Sequence, residues 1–329
     1  MEKLLAAFPE NITEALEIAS KVELRLSDNE ISNVVICGMG GSGIGGRLLS
    51  KWIEDDVRIP VIVVQDYNLP EFVNDKTLVI ASSYSGNTEE TLQCVQDGIT
   101  RKSHIIGITS GGKLKEICEE NNFNLIIVPG GNPPRTALAY SLIQLANIFV
   151  QFGFIQATIL QQIEKARMLL IQEEKSIKKK AQEIAVFLSG DKVPVLYGTS
   201  AFEPVLIRAR QQLNENGKVL CWHHTIPEMN HNEHVGWGGG DNRFAVLFFD
   251  SVWINSRNKR RMEITEELVK KKTFHVKTIK GVGKSLIEQS MYFINLIDWT
   301  SLYLANLRKV DPIEVEVIDH LKSELSKLK

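Results

Sequence analysis

Five short, uninterrupted apolar runs constrain the first half of this chain more than any other feature. They occupy residues 34–37, 61–64, 78–81, 105–108 and 125–128 and are rich in Val, Ile and Leu. A strand exposed on one face alternates polar and apolar residues, whereas an unbroken apolar run is buried on both faces. Helical patterns lie between the runs, at 45–53, 88–97 and 114–120. Strands and helices alternating in this way build a parallel sheet covered on both sides. A Lys-, Glu- and Gln-rich helical stretch follows at 159–188. The pattern then resumes, with strands expected at 193–197, 218–222, 244–249 and 274–277 and helices at 204–213, 258–271 and 286–307. A terminal helix is expected at 312–328, with Pro312 at its N-terminal end. The fold class is α/β: two doubly wound parallel-sheet domains with connecting and C-terminal helices. The 329 residues divide into domains at 1–152 and 153–329, each within the usual size of about 100–200 residues.

Composition narrows the function classes. Lys and Arg number 38 against 40 Asp and Glu, a net charge of −2, so no global positive field is available to hold nucleic acid or an anionic membrane. Cys37, Cys94, Cys118 and Cys221 lie far apart with no CxxC, as expected of buried free thiols in a reducing compartment. Glu10 follows the short N-terminal apolar run too closely for a signal-peptide core, so a cytoplasmic location is expected. Residues 136–163 carry no charge and no proline. Gln144, Asn147, Gln151, Gln156, Gln161 and Gln162 nevertheless interrupt the stretch, and Gly153 breaks it. A helix buried in a core or a subunit interface is expected there, not a membrane span.

Three loops follow strands of the first half. The first reads Gly38-Met39-Gly40-Gly41-Ser42-Gly43. Glycines let backbone N–H groups approach an anion, and the following helix adds its positive end, so this is a phosphate or carboxylate site. Gly38, Gly40 and Gly43 also satisfy GxGxxG, with Asp66 after the second strand, so a dinucleotide site is a rival reading. The second loop, Ser82-Ser83-Tyr84-Ser85-Gly86-Asn87-Thr88, supplies hydroxyls for a phosphate dianion, and Asn87 or Thr88 suits capping of the next helix. The third, Pro129-Gly130-Gly131-Asn132-Pro133-Pro134-Arg135, carries a fixed cation suited to a phosphate or a developing oxyanion. Two hydroxyl and glycine loops on one rim favour a small phosphorylated ligand over a dinucleotide, which needs only the first.

The second half concentrates its titratable groups. Four of the seven histidines, His223, His224, His231 and His234, fall close together beside Glu228 and Glu233, and Glu215 precedes them. No HExxH is present and Pro227 marks the segment as a loop, so general acid–base chemistry is favoured over a catalytic metal.

In this order along nearly the whole chain, GMGGSG, SSYSGNTEET, PGGNPPR, NENGK, PEMNHNE and VDPIEVEVIDHLK resemble the sugar isomerase (SIS) family. NENGK and PEMNHNE narrow the resemblance to the bifunctional phosphoglucose/phosphomannose isomerases of archaea and some bacteria. The resemblance implies two flavodoxin-like SIS domains, hexose 6-phosphate substrates, no metal or redox cofactor, and a homodimer in which His231 enters the site from the neighbouring subunit. It further implies that Gly41, Ser42, Ser83, Ser85 and Thr88 hold the phosphate, that Arg135 steadies an enediolate, that Glu215 is the base, and that His231 and Lys322 open the sugar ring. The rivals are an NAD-dependent dehydrogenase, from the GxGxxG reading, and a non-catalytic sugar-phosphate-binding regulator. The latter class resembles SIS domains attached to a helix-turn-helix. No basic N-terminal domain precedes Ile31, and the basic run 257–261 reads as a solvated helix start.

Overall fold

The structure, a computed structural model, describes residues 1–25 and 30–327. The chain forms two compact units. The N-terminal unit comprises Leu4–Glu173 and Val282–Tyr292; the C-terminal unit comprises Met1–Lys3, Glu174–Gly281 and Phe293–Lys329.

The chain starts with helices α1 (Glu2–Ala6) and α2 (Phe8–Lys21) and then alternates: β1 (Asn33–Cys37), α3 (Gly40–Trp52), β2 (Val61–Val64), β3 (Thr77–Ser82), α4 (Glu89–Thr100), β4 (His104–Thr109), α5 (Gly112–Glu120) and β5 (Asn124–Ile127). Helices α6 (Leu138–Gln151) and α7 (Thr158–Leu188) follow. The five strands are parallel in the order β2-β1-β3-β4-β5, a doubly wound sheet. Every residue of β3 is buried, as its unbroken apolar run requires. Val35, Val79, Val95, Leu114 and Cys118 fill the core between the sheet and the helices.

Helix α6 explains the uncharged stretch. Twelve of its residues, from Leu138 to Phe149, are buried. The amides that interrupt its apolar run bond to the N-terminal helix region: Gln144 Nε2 donates to the Ala15 carbonyl at 2.7 Å, Asn147 Nδ2 to Ala19 at 3.2 Å and Gln151 Nε2 to Val22 at 2.8 Å. These side chains recur three and four residues apart, so one face of α6 aligns them along α2. Among the described residues no helix is long and apolar enough to cross a membrane.

In the C-terminal unit, β6 (Val193–Thr199), α8 (Glu203–Glu215), β7 (Trp222–Ile226), α9 (Glu233–Gly236), β8 (Phe244–Asp250), α10 (Ser256–Lys270) and β9 (Val276–Lys280) are followed by α11 (Leu286–Arg308), which begins in the N-terminal unit, and α12 (Glu316–Leu325). Its four strands are parallel in the order β7-β6-β8-β9. Tyr197, Val246, Phe248 and Met262 lie in its core. An Arg208–Asp298 ion pair joins α8 to α11: Nη2 meets Oδ2 at 2.7 Å, and Gln212 Nε2 donates to Oδ1 at 2.9 Å. Burial raises the Asp298 carboxyl, and Arg208 opposes that shift.

Among the departures from the sequence reading, such as β9, which lies at Val276–Lys280 and not 274–277, two adjoin candidate site residues. The strand expected at 218–222 begins only at Trp222. Lys218 has φ +52°, a left-handed conformation that no strand accommodates, and Asn214 Nδ2 closes the turn on the Val219 carbonyl at 2.6 Å. The terminal helix starts at Glu316, not Pro312. Pro312 sits in a turn where the Asp311 carboxylate accepts the Ile313 N–H at 2.7 Å. Leu328, at the far end of the expected helix, lies outside the described residues.

Candidate active site

In the N-terminal unit the loops after β1, β3 and β5 are bound to one another at the strand C-terminal ends, the rim where ligands bind in such sheets. Gly41 opens α3 against the turn that carries Arg135: a Cβ there would lie 2.8 Å from the Pro134 carbonyl oxygen. Ser42 Oγ accepts the Tyr84 N–H at 3.1 Å, tying the first loop to the second. Within the second loop the Ser83 and Thr88 hydroxyls are 2.8 Å apart, and Ser85 Oγ accepts the Asn87 N–H at 3.2 Å. Arg135 is 5% exposed, in the one-turn helix Pro134–Thr136. The structure therefore brings all five expected phosphate residues and Arg135 to one rim.

Capping takes a different form from the one expected. Thr88 is the N-cap of α4 without a capping side-chain bond; its hydroxyl meets Ser83. Asn87 Oδ1 accepts the Lys113 N–H at 3.0 Å and so serves the start of α5. Sequence reasoning also passed over Tyr84, which links the loops. Its N–H donates to Ser42 Oγ, its carbonyl accepts the Ser110 hydroxyl at 2.7 Å, and its phenol oxygen accepts the Asn132 N–H at 3.2 Å. Burial raises its phenol above the ordinary value. An aromatic inside a hydroxyl loop was the available signal.

In the C-terminal unit Glu215 is the last residue of α8. Its neighbours lock the turn. Asn214 closes it as described, and buried Asn216 donates to Ser301 Oγ at 2.9 Å. Gly217 would place a Cβ 2.9 Å from the Leu213 carbonyl, and Lys218 Nζ donates to the Glu215 carbonyl at 2.7 Å. His231 closes the short turn Glu228–His231 after β7 and is exposed. Glu215 thus stands where the chain enters β7, and His231 stands beyond its exit. The strand itself spans roughly 13 Å at about 3.3 Å per residue. Lys322 is exposed on α12.

The last glutamate of PEMNHNE, Glu233, was named beside the histidines but given no role by the sequence reading. Its carboxylate receives the Tyr197 hydroxyl, Trp222 Nε1 at 2.9 Å and His224 Nδ1 at 2.7 Å. Trp237 Nε1 donates to the Tyr197 oxygen at 2.9 Å. This anchors the loop that carries His231. His234 is held by Thr265 Oγ1 at 2.9 Å, and burial lowers its basicity. Among the described residues no group of His, Cys, Asp or Glu could hold a metal ion.

Residues 177–325 match the model of the bacterial phospho-glucose isomerase C-terminal SIS domain. A bifunctional phosphoglucose/phosphomannose isomerase of Caldicellulosiruptor bescii is 40% identical over 335 residues, covering 98% of this chain and 97% of that one. This chain belongs to that family. A bifunctional phosphoglucose/phosphomannose isomerase of Aquifex aeolicus is 37% identical, covering 89% of this chain and 90% of its own. A D-glucosamine-6-phosphate 4-epimerase of Sulfolobus acidocaldarius is 34% identical over a shorter region, 60% of this chain and 61% of its own. The fold is shared with the C-terminal domain of glucosamine-fructose-6-phosphate aminotransferase from Francisella tularensis, at TM-score 0.78 and 14% identity over 95% of this chain and 98% of that one.

Membership of the bifunctional phosphoglucose/phosphomannose isomerase family sets aside the dinucleotide reading. A Cβ on Gly43 would meet the Gly38 carbonyl oxygen at 2.3 Å, so close helix–strand packing accounts for that glycine. Asp66 is engaged locally, accepting the Tyr67 N–H at 2.7 Å.

Proposed function

We propose that this chain is a cytoplasmic aldose–ketose isomerase that interconverts glucose 6-phosphate and mannose 6-phosphate with fructose 6-phosphate through a cis-enediolate. Gly41, Ser42, Ser83, Ser85 and Thr88 bind the substrate phosphate, helped by the positive N-terminus of α3. His231 and Lys322 open the ring by passing a proton to the ring oxygen while the anomeric hydroxyl loses one. Glu215 removes the C2 proton, Arg135 stabilises the enediolate in a prearranged field, and Glu215 returns the proton to C1. A base that reaches the C2 proton of either epimer serves both aldoses from one site. The enzyme acts as a homodimer, each site taking His231 from the partner. The separation of Glu215 and His231 by the length of β7 within one unit supports that arrangement.

The observation that carries the reading is the turn at 214–218. Asn214, Asn216, Gly217 and Lys218 all serve to fix the backbone that presents the Glu215 carboxylate. Glu215→Gln tests it. Turnover should fall by at least about 10²-fold, the usual worth of a general base, while fructose 6-phosphate still binds. Exchange of the C2 proton with deuterated water should fall in parallel. Activity above about a hundredth of wild type would exclude Glu215 as the base.

A further inference from the structure

Among the described residues, Lys218 is one of four residues other than glycine with a positive φ, and it lies in the turn that follows Glu215. The left-handed region is costly for any side chain with a Cβ, and a residue kept there points to a constraint imposed by its surroundings. Its ammonium shows what that constraint is. Nζ donates to the Glu215 carbonyl at 2.7 Å, to the Glu314 carbonyl, and pairs with the Glu314 carboxylate at 3.4 Å. The first contact lies at the C-terminal end of α8, where a cation is favoured by the helix dipole. The second holds the chain two residues before α12, the helix that bears Lys322. Both carbonyl contacts lie within the C-terminal unit and join segments 96 residues apart in sequence.

We propose that Lys218 is a positioning residue for the isomerisation: one ammonium fixes the backbone of the base Glu215 and the approach to the Lys322 helix together. The proposal rests on the assignment of Glu215 as base. Its expected kinetic signature is specific. The phosphate-binding loops belong to the other unit, so loss of the strut should misplace the base without weakening phosphate binding. A shift of about 1 Å in a reacting group can cost 10²-fold in rate.

Three substitutions test this in the full-length enzyme. Lys218→Met keeps the aliphatic stem and removes the charge. Lys218→Gly accepts the left-handed backbone, so the turn keeps its shape if the Met variant folds poorly. Lys218→Arg restores a cation. Thermal unfolding is followed for each, with fructose 6-phosphate kinetics and C2-proton exchange. The expected result is a fall in kcat of about 10–100-fold in the Met and Gly variants, KM within about twofold, proton exchange slowed in step, and partial recovery in the Arg variant. Wild-type kcat in either the Met or the Gly variant would overturn the proposal, since the backbone shape alone would then suffice. A rise in KM with kcat unchanged would overturn it as well. Glu215→Gln, assayed alongside, separates the two claims. If that variant stays active, the base assignment fails and this proposal with it. If it is inactive while Lys218→Met is unaffected, only the role of Lys218 fails.

Discussion

Gly86 shows how far a single residue can be read. It has φ +69°, and a Cβ there would lie 1.8 Å from the Gly111 carbonyl oxygen, a backbone atom that cannot turn away. Gly86→Ala should cost about 2–3 kcal/mol in urea unfolding and weaken fructose 6-phosphate binding, because the loops after β3 and β4 must separate. Unchanged stability and affinity would contradict that packing. The glycine and hydroxyl loops were legible in sequence because their chemistry is local: small residues and hydroxyls adjoin a strand end and a helix start. Tyr84 and Glu233 were not legible. Their importance lies in partners contributed by distant parts of the chain, Ser42 and Asn132 for one and Tyr197 for the other. An aromatic inside a hydroxyl loop marks Tyr84 as unusual, but residue type and spacing do not name those distant partners.

At the scale of elements, α8 matters because it ends on Glu215. It is fastened to α11 by Arg208 and Asp298, whose side chains are 3% and 4% exposed. Removing one member of a buried pair strands the other charge, so Arg208→Met should destabilise the protein by about 3–5 kcal/mol. The double variant Arg208→Met/Asp298→Leu should recover most of the loss, measured by denaturant unfolding of both. A double variant no more stable than the single would show that the pair is not a self-contained unit. Buried strands were legible, since β3 and β4 differ from their expected spans by a residue at each end. The edge strand β7 was misplaced because the apolar residues Val219 and Leu220 look like its start. Val219 is instead drawn to the Leu213 carbonyl at 3.2 Å by the turn that Lys218 makes. The start of α12 was misjudged for a similar reason. Pro312 is compatible with a helix N-terminus, but the Asp311 and Glu314 side chains fold the preceding residues into turns.

For the whole molecule, two parallel sheets were legible from the alternation of apolar runs and helical patterns, and both are present. Composition could not distinguish an isomerase from a dehydrogenase, because a glycine-rich strand–helix turn serves phosphate and pyrophosphate alike. The distinction came from NENGK and PEMNHNE and from relatives that span nearly the full chain. The central claim is that one enediolate site serves two epimeric aldoses. The most direct measurement supplies the enzyme with fructose 6-phosphate in the presence of a chelator and follows glucose 6-phosphate and mannose 6-phosphate separately. Both products should form, and Glu215→Gln should abolish both together. Formation of only one aldose, or of neither, would contradict the account.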